Sequence, residues 1–174
     1  MKMLNKKLFL MCGPAGSGKS TWARNRVAQD TDRRIHISRD VFRFALLQEG
    51  DDYFAHENEA FANFIAAARE AIGNPQIEEI YIDATHLKEM ARNKVLDELD
   101  LSGCDVIPVV VKPALETTLD RNEERKGHAY VPRSVIRRMD ASFEKPTFEE
   151  EHQYAEIWEI IDNGILVIPR GGNK

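Results

Sequence analysis
Several kinds of feature are scarce or missing in this chain. Cysteine is almost absent, with only Cys12 and Cys104. They stand far apart and form neither a CxxC pair nor a metal-ligand spacing, so a disulfide scaffold and a thiolate metal site are excluded and a reduced, cytoplasmic setting is expected. The five histidines show no ligand spacing either. No apolar run approaches the ~20 residues that a bilayer-spanning helix needs, so no membrane partner is expected. An apolar segment begins at Lys7, which leaves no room for a cleaved leader. Positive charge is not in excess: 24 Lys and Arg against 29 Asp and Glu give a net charge of −5. That argues against broad binding to duplex nucleic acid, but not against a local basic pocket that grips one strand end. Repeats, low-complexity stretches and linkers are also absent, so residues 1–174 read as one domain large enough for a real core.

One stretch organises the rest: Gly13-Pro14-Ala15-Gly16-Ser17-Gly18-Lys19-Ser20-Thr21. It fits the phosphate-loop template of Gly, four residues, Gly-Lys, then Ser or Thr. Glycines let the backbone turn tightly and aim N–H groups at a polyphosphate. Lys19 is suited to the β- and γ-phosphates, and the Ser20 hydroxyl to Mg²⁺. The setting agrees, because residues 7–12 read as a buried strand and residues 21–28 as a helix whose N-terminus favours anions. A nucleoside triphosphate, ATP in the simplest case, is the expected ligand.

Strand and helix patterns alternate, which predicts an α/β fold with a parallel sheet flanked by helices on both faces. Strands are expected at 33–38, 77–83 and 106–111, the last with Pro108 somewhat against a central position. Helices are expected at 41–47, 54–72, 86–99 (capped by Thr85), from Pro113 through Lys126, and at 133–143 with Pro132 as a first helical residue. Asn163-Gly164 between 154–161 and 165–168 is a hairpin signal, and 170–174 reads as a loose tail.

Open α/β sheets bind ligands beyond the carboxyl ends of their strands. Cys12 and Gly13, Ser38 and Asp40, Asp83 and Thr85, and Lys112 are therefore expected around one crevice. Asp40 is suited to orient an acceptor hydroxyl and take its proton, although an Asp here can equally cap the following helix. Arg43, three residues on, can hold an acceptor phosphate or simply pair with Asp40. Asp83 ends an apolar strand, where a carboxylate can support Mg²⁺ or belong to an ordinary turn. Thr85 can line the acceptor site or cap a helix. Arg121, Arg125 and Lys126 lead into Gly127 and read as a lid that neutralises developing phosphate charge, against the alternative of a solvated charged face. His36 is expected as a hydrogen-bonded strand residue, and the Phe-rich helix as packing.

Three separated segments resemble the kinase domain of bacteriophage-type polynucleotide 5′-hydroxyl kinase, one of the small P-loop kinases. They are Gly16-Ser17-Gly18-Lys19-Ser20-Thr21-Trp22-Ala23-Arg24, then Ile37-Ser38-Arg39-Asp40-Val41-Phe42-Arg43, then Arg121-Asn122 through Arg125 with Val131-Pro132 and Val135-Ile136-Arg137. The likeness covers roughly the first 145 residues. It implies a P-loop NTPase fold with a helical lid, to which the turn signal at Asn163-Gly164 adds a C-terminal β-hairpin outside the likeness, and ATP-dependent phosphorylation of a 5′-hydroxyl end of single-stranded or overhanging RNA or DNA. Taken together with the readings above, Gly13, Ala15, Gly16, Ser17, Gly18, Lys19, Ser20, Thr21, Arg121 and Arg125 would hold the nucleotide. Ser20 and Asp83 would hold Mg²⁺, Lys19, Asp40 and Arg125 would be catalytic, and Asp40, Arg43 and Thr85 would meet the acceptor. No Asp-x-Asp-Gly-Thr phosphatase signature is present, so 3′-phosphatase activity is not expected. The rival readings are a kinase of a small metabolite (sugar, nucleoside or antibiotic) and an ATP-binding regulatory protein without an acceptor.

Overall fold
The apolar run ahead of the glycine loop becomes β1 (Lys6–Cys12), in which Leu8 through Cys12 have no exposed surface. Uninterrupted apolarity is what a strand covered on both faces requires. The computed structural model describes residues 4–162 and 164–171. β1 lies between β3 (Glu79–Asp83) and β4 (Cys104–Val110), parallel to both. β2 (Arg34–Ser38) pairs outside β3, and β5 (Glu156–Ile161) outside β4, again in parallel. β6 (Gly164–Pro169) turns back antiparallel on β5, so the sheet order is β2-β3-β1-β4-β5-β6. Gly164 pairs with Ile161 at the closed end of this hairpin; Asn163, the other half of the turn signal, lies outside the described residues.

Six helices complete the chain: α1 (Lys19–Ala28), α2 (Arg39–Leu46), α3 (Glu57–Gly73), α4 (Glu89–Leu96), α5 (Leu115–Glu123) and α6 (Arg133–Ala141). Among the described residues no helix is long and apolar enough to cross a membrane. Alternate residues of the central strands feed opposite layers. Leu8, Leu10, Ile80 and Ile82 pack with Phe64, Ile65 and Ala68 of α3, whereas Phe9, Met11, Tyr81 and Ile107 pack with Ala23 of α1. Each fully buried side chain of this size contributes roughly 1.5–3 kcal/mol. Trp22 and Trp158 meet edge to face at 6.4 Å on the α1 side.

The structure departs from the expected elements in several places, among them the end of α4 at Leu96 rather than residue 99. Helix α3 begins at Glu57 rather than residue 54, because the Asp52 carboxylate accepts the Phe54 N–H (3.1 Å) and holds a turn there. Phe54 is 62% exposed and leaves the core. Thr85 caps no helix. The following residue, His86, takes a left-handed φ of 41° and bonds the Met11 carbonyl at 2.6 Å, which postpones α4 to Glu89. Helix α5 stops at Glu123, short of Arg125 and Lys126. There the Asn122 side chain clasps the returning chain, donating to the Val131 carbonyl (2.7 Å) and accepting the Val131 N–H (3.0 Å).

Pro108 does sit in a central strand. It shares the parity of Val106, whose carbonyl faces the β5 side by accepting from Ala155, and the β4–β5 ladder begins only at Val109. Its missing N–H therefore breaks no ladder bond. Pro132 stands at the cap of α6, just outside it, and that helix ends at Ala141 rather than residue 143. Arg170 is tied down through Nε to the Tyr154 carbonyl (2.8 Å), unlike a loose end; residues 172–174 of that expected tail lie outside the described residues.

Candidate active site
The glycine loop leaves the end of β1 and enters α1. It is braced from both sides, with the Gly13 N–H on the Thr85 carbonyl (2.9 Å) and the Val111 N–H on the Cys12 carbonyl (2.8 Å). A Cβ at Gly13 would overlap the Val111 carbonyl, and Gly18 takes φ +98° where α1 starts. Both positions require glycine for the loop to close this tightly. Lys19 is 7% exposed and its Nζ donates to the Pro14 carbonyl (2.8 Å) and to Ser17 Oγ (3.4 Å). Burial lowers the Lys19 ammonium to about 8; Asp83 opposes this and Arg125 adds to it. Arg121 donates to the Ser17 carbonyl (2.8 Å) and lies against Gly18, so it buttresses the loop from the α5 side.

Asp83 ends β3 and is 3% exposed. Its Oδ2 accepts from Ser20 Oγ (2.6 Å) and from His36 Nε2 (2.8 Å). Burial alone would raise this carboxyl. The His36 bond, the Lys19 charge and the Ser20 bond together outweigh it and hold the pKa below the usual range. The loop fits a triphosphate, since its N–H groups open at a helix N-terminus beside a buried ammonium. Ser20 and Asp83 fit Mg²⁺, which takes one or two protein oxygens and completes its octahedron with phosphate and water. Among the described residues no cluster of three or more His, Cys, Asp or Glu could cage a metal by itself.

Beside Lys19 and Ser20 opens a cleft of about 440 Å³. Asp40 in the first turn of α2, Asp83, Thr85 and Arg125 all line it, so four distant segments converge there. The Asp40 side chain is 46% exposed. Its Oδ1 accepts from Arg43 Nη1 and from the Tyr53 hydroxyl (3.1 Å), while Oδ2 has no partner among the described residues. Arg43 is 7% exposed, and Glu57 holds its Nε (3.0 Å) and Nη2 (2.9 Å). The Tyr53 hydroxyl accepts from Arg43 Nη1 (2.8 Å), and the guanidinium lies 4.5 Å from the Tyr53 ring centroid. Burial and Asp40 push the Tyr53 phenol up to about 12, which keeps it a donor across the working pH range. Arg39 pairs with Glu57 and lies over Phe61.

Arg125 reaches the cleft from the loop after α5 and bonds the Ala129 carbonyl (3.1 Å). Beyond it a short 3₁₀ turn, Gly127–Ala129, carries His128, which stacks on Phe44 of α2 at 6.2 Å and ties this turn to α2. Several expected neighbours stay away. Cys12, fully buried, and Gly13 do not line the cleft; Lys112 pairs with Asp140 (3.1 Å) and does not line it either, and Thr21 is exposed on α1. Sequence reasoning overlooked Tyr53, Glu57 and the partnership of His36 with Asp83. The available signal was Tyr53, an aromatic residue in a polar loop with no helical stripe to join.

The comparisons with known proteins agree with this geometry at the level of the fold. A curated guanylate kinase from Cupriavidus pinatubonensis (strain JMP 134 / LMG 1197) is 25% identical over 187 residues, covering 91% of this chain and 78% of that one. A chain of the Pnkp1/Rnl/Hen1 RNA repair complex matches with a TM-score of 0.68 and 22% identity over 81% of this chain. This chain spans only 45% of that larger one. A sugar kinase from Janibacter sp. HTCC2649 matches with a TM-score of 0.57 and 20% identity, over 89% of this chain and 85% of that chain. At such identities the solved structures speak to the fold, a P-loop kinase type. A family model described as an AAA domain matches residues 8–146, most of the sequence, and the chain belongs to that family.

Proposed function
We propose that the protein transfers the γ-phosphoryl group of ATP to the 5′-hydroxyl end of a nucleic acid strand. The observation that carries this reading is the state of Asp40. One carboxylate oxygen is held by Arg43 and Tyr53, and the other is free in a cleft shared with Lys19. A phosphate acceptor needs no base; a hydroxyl acceptor does. In the proposed reaction Asp40 Oδ2 takes the hydroxyl proton as the acceptor oxygen bonds to the γ-phosphorus. The bond from that phosphorus to the β–γ bridging oxygen breaks, and ADP leaves. Lys19 and Arg125 neutralise charge on the transferring group. Mg²⁺, held through Ser20 with Asp83 behind it, would supply electrostatic screening of the β- and γ-oxygens when bound. Tyr53 and Arg43 fix the carboxylate's orientation.

A second reading, phosphorylation of a small neutral metabolite, has one observation in its favour: Glu57 already neutralises Arg43, the cation expected to grip an acceptor phosphate. One N–H of Arg43 Nη2 is still uncommitted, so a phosphate contact is compatible with this arrangement. Transfer from γ-labelled ATP to 5′-hydroxyl oligonucleotides, sugars, nucleosides and a nucleoside monophosphate separates the two. Label on the oligonucleotide 5′ end is the expected result. Transfer to a sugar or to a nucleoside monophosphate alone would replace the proposal. Tight ATP binding with no acceptor in the panel would point to a regulatory protein.

A further inference from the structure
The charge of the chain is unevenly distributed. The protein as a whole is −5, yet from Arg125 through Met139 it contains Arg125, Lys126, Arg133, Arg137 and Arg138 and no acidic residue. Arg133 is matched by Glu123 at 3.0 Å, whereas Arg137 and Arg138 have no carboxylate partner among the described residues. Val135, Arg138, Met139 and Ser142 recur at helical spacing and line one shallow trough on α6. Val135 and Met139 also line the cleft that holds Asp40, so the trough continues directly from it. Tyr130 lines the same cleft with 40% of its surface exposed. An exposed aromatic ring followed by an unpaired guanidinium along a groove is the arrangement that single-stranded nucleic acids use, stacking a base and tracking a phosphodiester.

We infer that the trough on α6 is the track for the acceptor strand, with Tyr130 stacking a base next to the phosphorylated end and Arg138 contacting a phosphate downstream. This rests on the 5′-hydroxyl kinase reading and narrows it, because the substrate is then a single strand several nucleotides long and not a mononucleotide. From Val135 to Ser142 the helix rises about 10 Å, room for about three nucleotides of a stacked strand at ~3.4 Å each. A duplex does not fit this reading. The overall negative charge would repel its second strand, which explains how an acidic protein could take a polyanionic substrate at one end only.

The test compares kcat/KM for a 5′-hydroxyl, 3′-phosphorylated mononucleotide with that for single-stranded di-, tetra- and hexanucleotides, as RNA and as DNA, at two salt concentrations. For the wild type, kcat/KM is expected to rise about tenfold from mononucleotide to tetranucleotide and then level off, in line with one stacked base and one charge-assisted contact. Arg138→Ala should remove most of that gain, flatten the salt slope for the hexanucleotide by about 0.7 and leave the mononucleotide rate unchanged. Retained mononucleotide transfer also shows that the variant is folded. Arg138→Glu should be worse than Arg138→Ala on the hexanucleotide alone. A wild type that uses mononucleotide and hexanucleotide equally, or an Arg138→Glu variant equal to wild type on the hexanucleotide, overturns the track and leaves the 5′-hydroxyl kinase reading standing. Transfer to none of the nucleotide acceptors removes that reading, and the track with it.

Discussion
The two sides of the cleft are built in different ways. On the nucleotide side nearly everything comes from one contiguous stretch, Gly13 to Ser20, whose shape is set by backbone hydrogen bonds to Thr85 and Val111 and by positions that tolerate no Cβ. On the acceptor side no stretch dominates. Asp40, Arg43, Tyr53 and Glu57 form a side-chain network across a helix, a loop and the next helix, and Arg125 and Tyr130 are brought over it by the lid. A backbone site can change little without losing the fold. A side-chain site can be rebuilt one residue at a time. The proteins of similar fold differ in the same sense, since they include a chain of an RNA repair complex, a sugar kinase and a guanylate kinase.

The contrast can be broken from either side. The largest effect is expected from Asp40→Asn, which removes the free carboxylate oxygen and touches nothing in the loop. Phosphoryl transfer should fall by about 10²–10⁴ while ATP affinity, read by a fluorescent nucleotide, stays within a few-fold. Loss of nucleotide binding in this variant would show that the two halves are not separable.

Arg92 comes next. It is fully buried behind the loop, with Nη1 on the His86 carbonyl (2.9 Å) and the Glu144 carbonyl (3.0 Å) and Nε on Glu150 (3.0 Å). Arg92→Leu strands the Glu150 charge and should cost about 3–5 kcal/mol in denaturant unfolding. Because Tyr154 also bonds Glu150 (2.6 Å), adding Glu150→Gln should recover part of the loss. Full stability in the single variant would mean that this ion pair does not support the wall behind the loop.

Lys19→Met separates function from stability. The Lys19 pKa is lowered from 10.5 to about 8 in the folded nucleotide-free protein. Between those values the unfolded chain holds a proton that the folded chain has lost, so ν_U exceeds ν_N and this group makes stability rise with pH from about 8 to about 10.5. Below about 8 the folded protein bears the full cost of a buried ammonium. At neutral pH Lys19→Met should lower transfer, by less than Asp40→Asn does, and yet stabilise the nucleotide-free protein by about 1–3 kcal/mol, and its unfolding profile should lack the alkaline rise. A destabilised variant at pH 7 would mean that the bonds to Pro14 and Ser17 outweigh burial. The smallest effect belongs to Tyr53→Phe, which keeps the ring over Arg43 and removes the bond to Asp40. We expect kcat to fall about five- to tenfold with KM for ATP unchanged. An unchanged kcat would reduce Tyr53 to packing.

Particular residues show where sequence reading succeeded and where it stopped. β1 was legible because Leu8 through Cys12 form an unbroken apolar run, and the loop because its glycines and lysine keep fixed spacing. Asp40 and Asp83 were legible because ligands collect at strand ends. Asp40 and Arg43, three residues apart on one turn, were legible as neighbours, but Glu57 was not: the carboxylate that neutralises Arg43 lies fourteen positions further on, beyond a turn that hides it. Of the two readings of Thr85 the cap failed and the place in the cleft lining held, because capping propensity is local, whereas the His86 bond to Met11 that delays α4 bridges 75 positions. Arg125 was placed on a helix because charge and spacing continue past Glu123, while the clasp between Asn122 and Val131 that ends the helix depends on a chain reversal.

The sequence alone determined the alternating architecture, the phosphate loop and the positions of Asp40 and Asp83, because periodicity and short-range spacing carry that information along the chain. Only the tertiary structure decided that Asp40 keeps one oxygen free, that Arg43 is already neutralised, and that the basic stretch from Arg125 continues from the cleft as a groove on α6. The reason is physical: hydrogen bonds and ion pairs between side chains depend on distances in space, and the distances that matter here join residues that the sequence keeps apart.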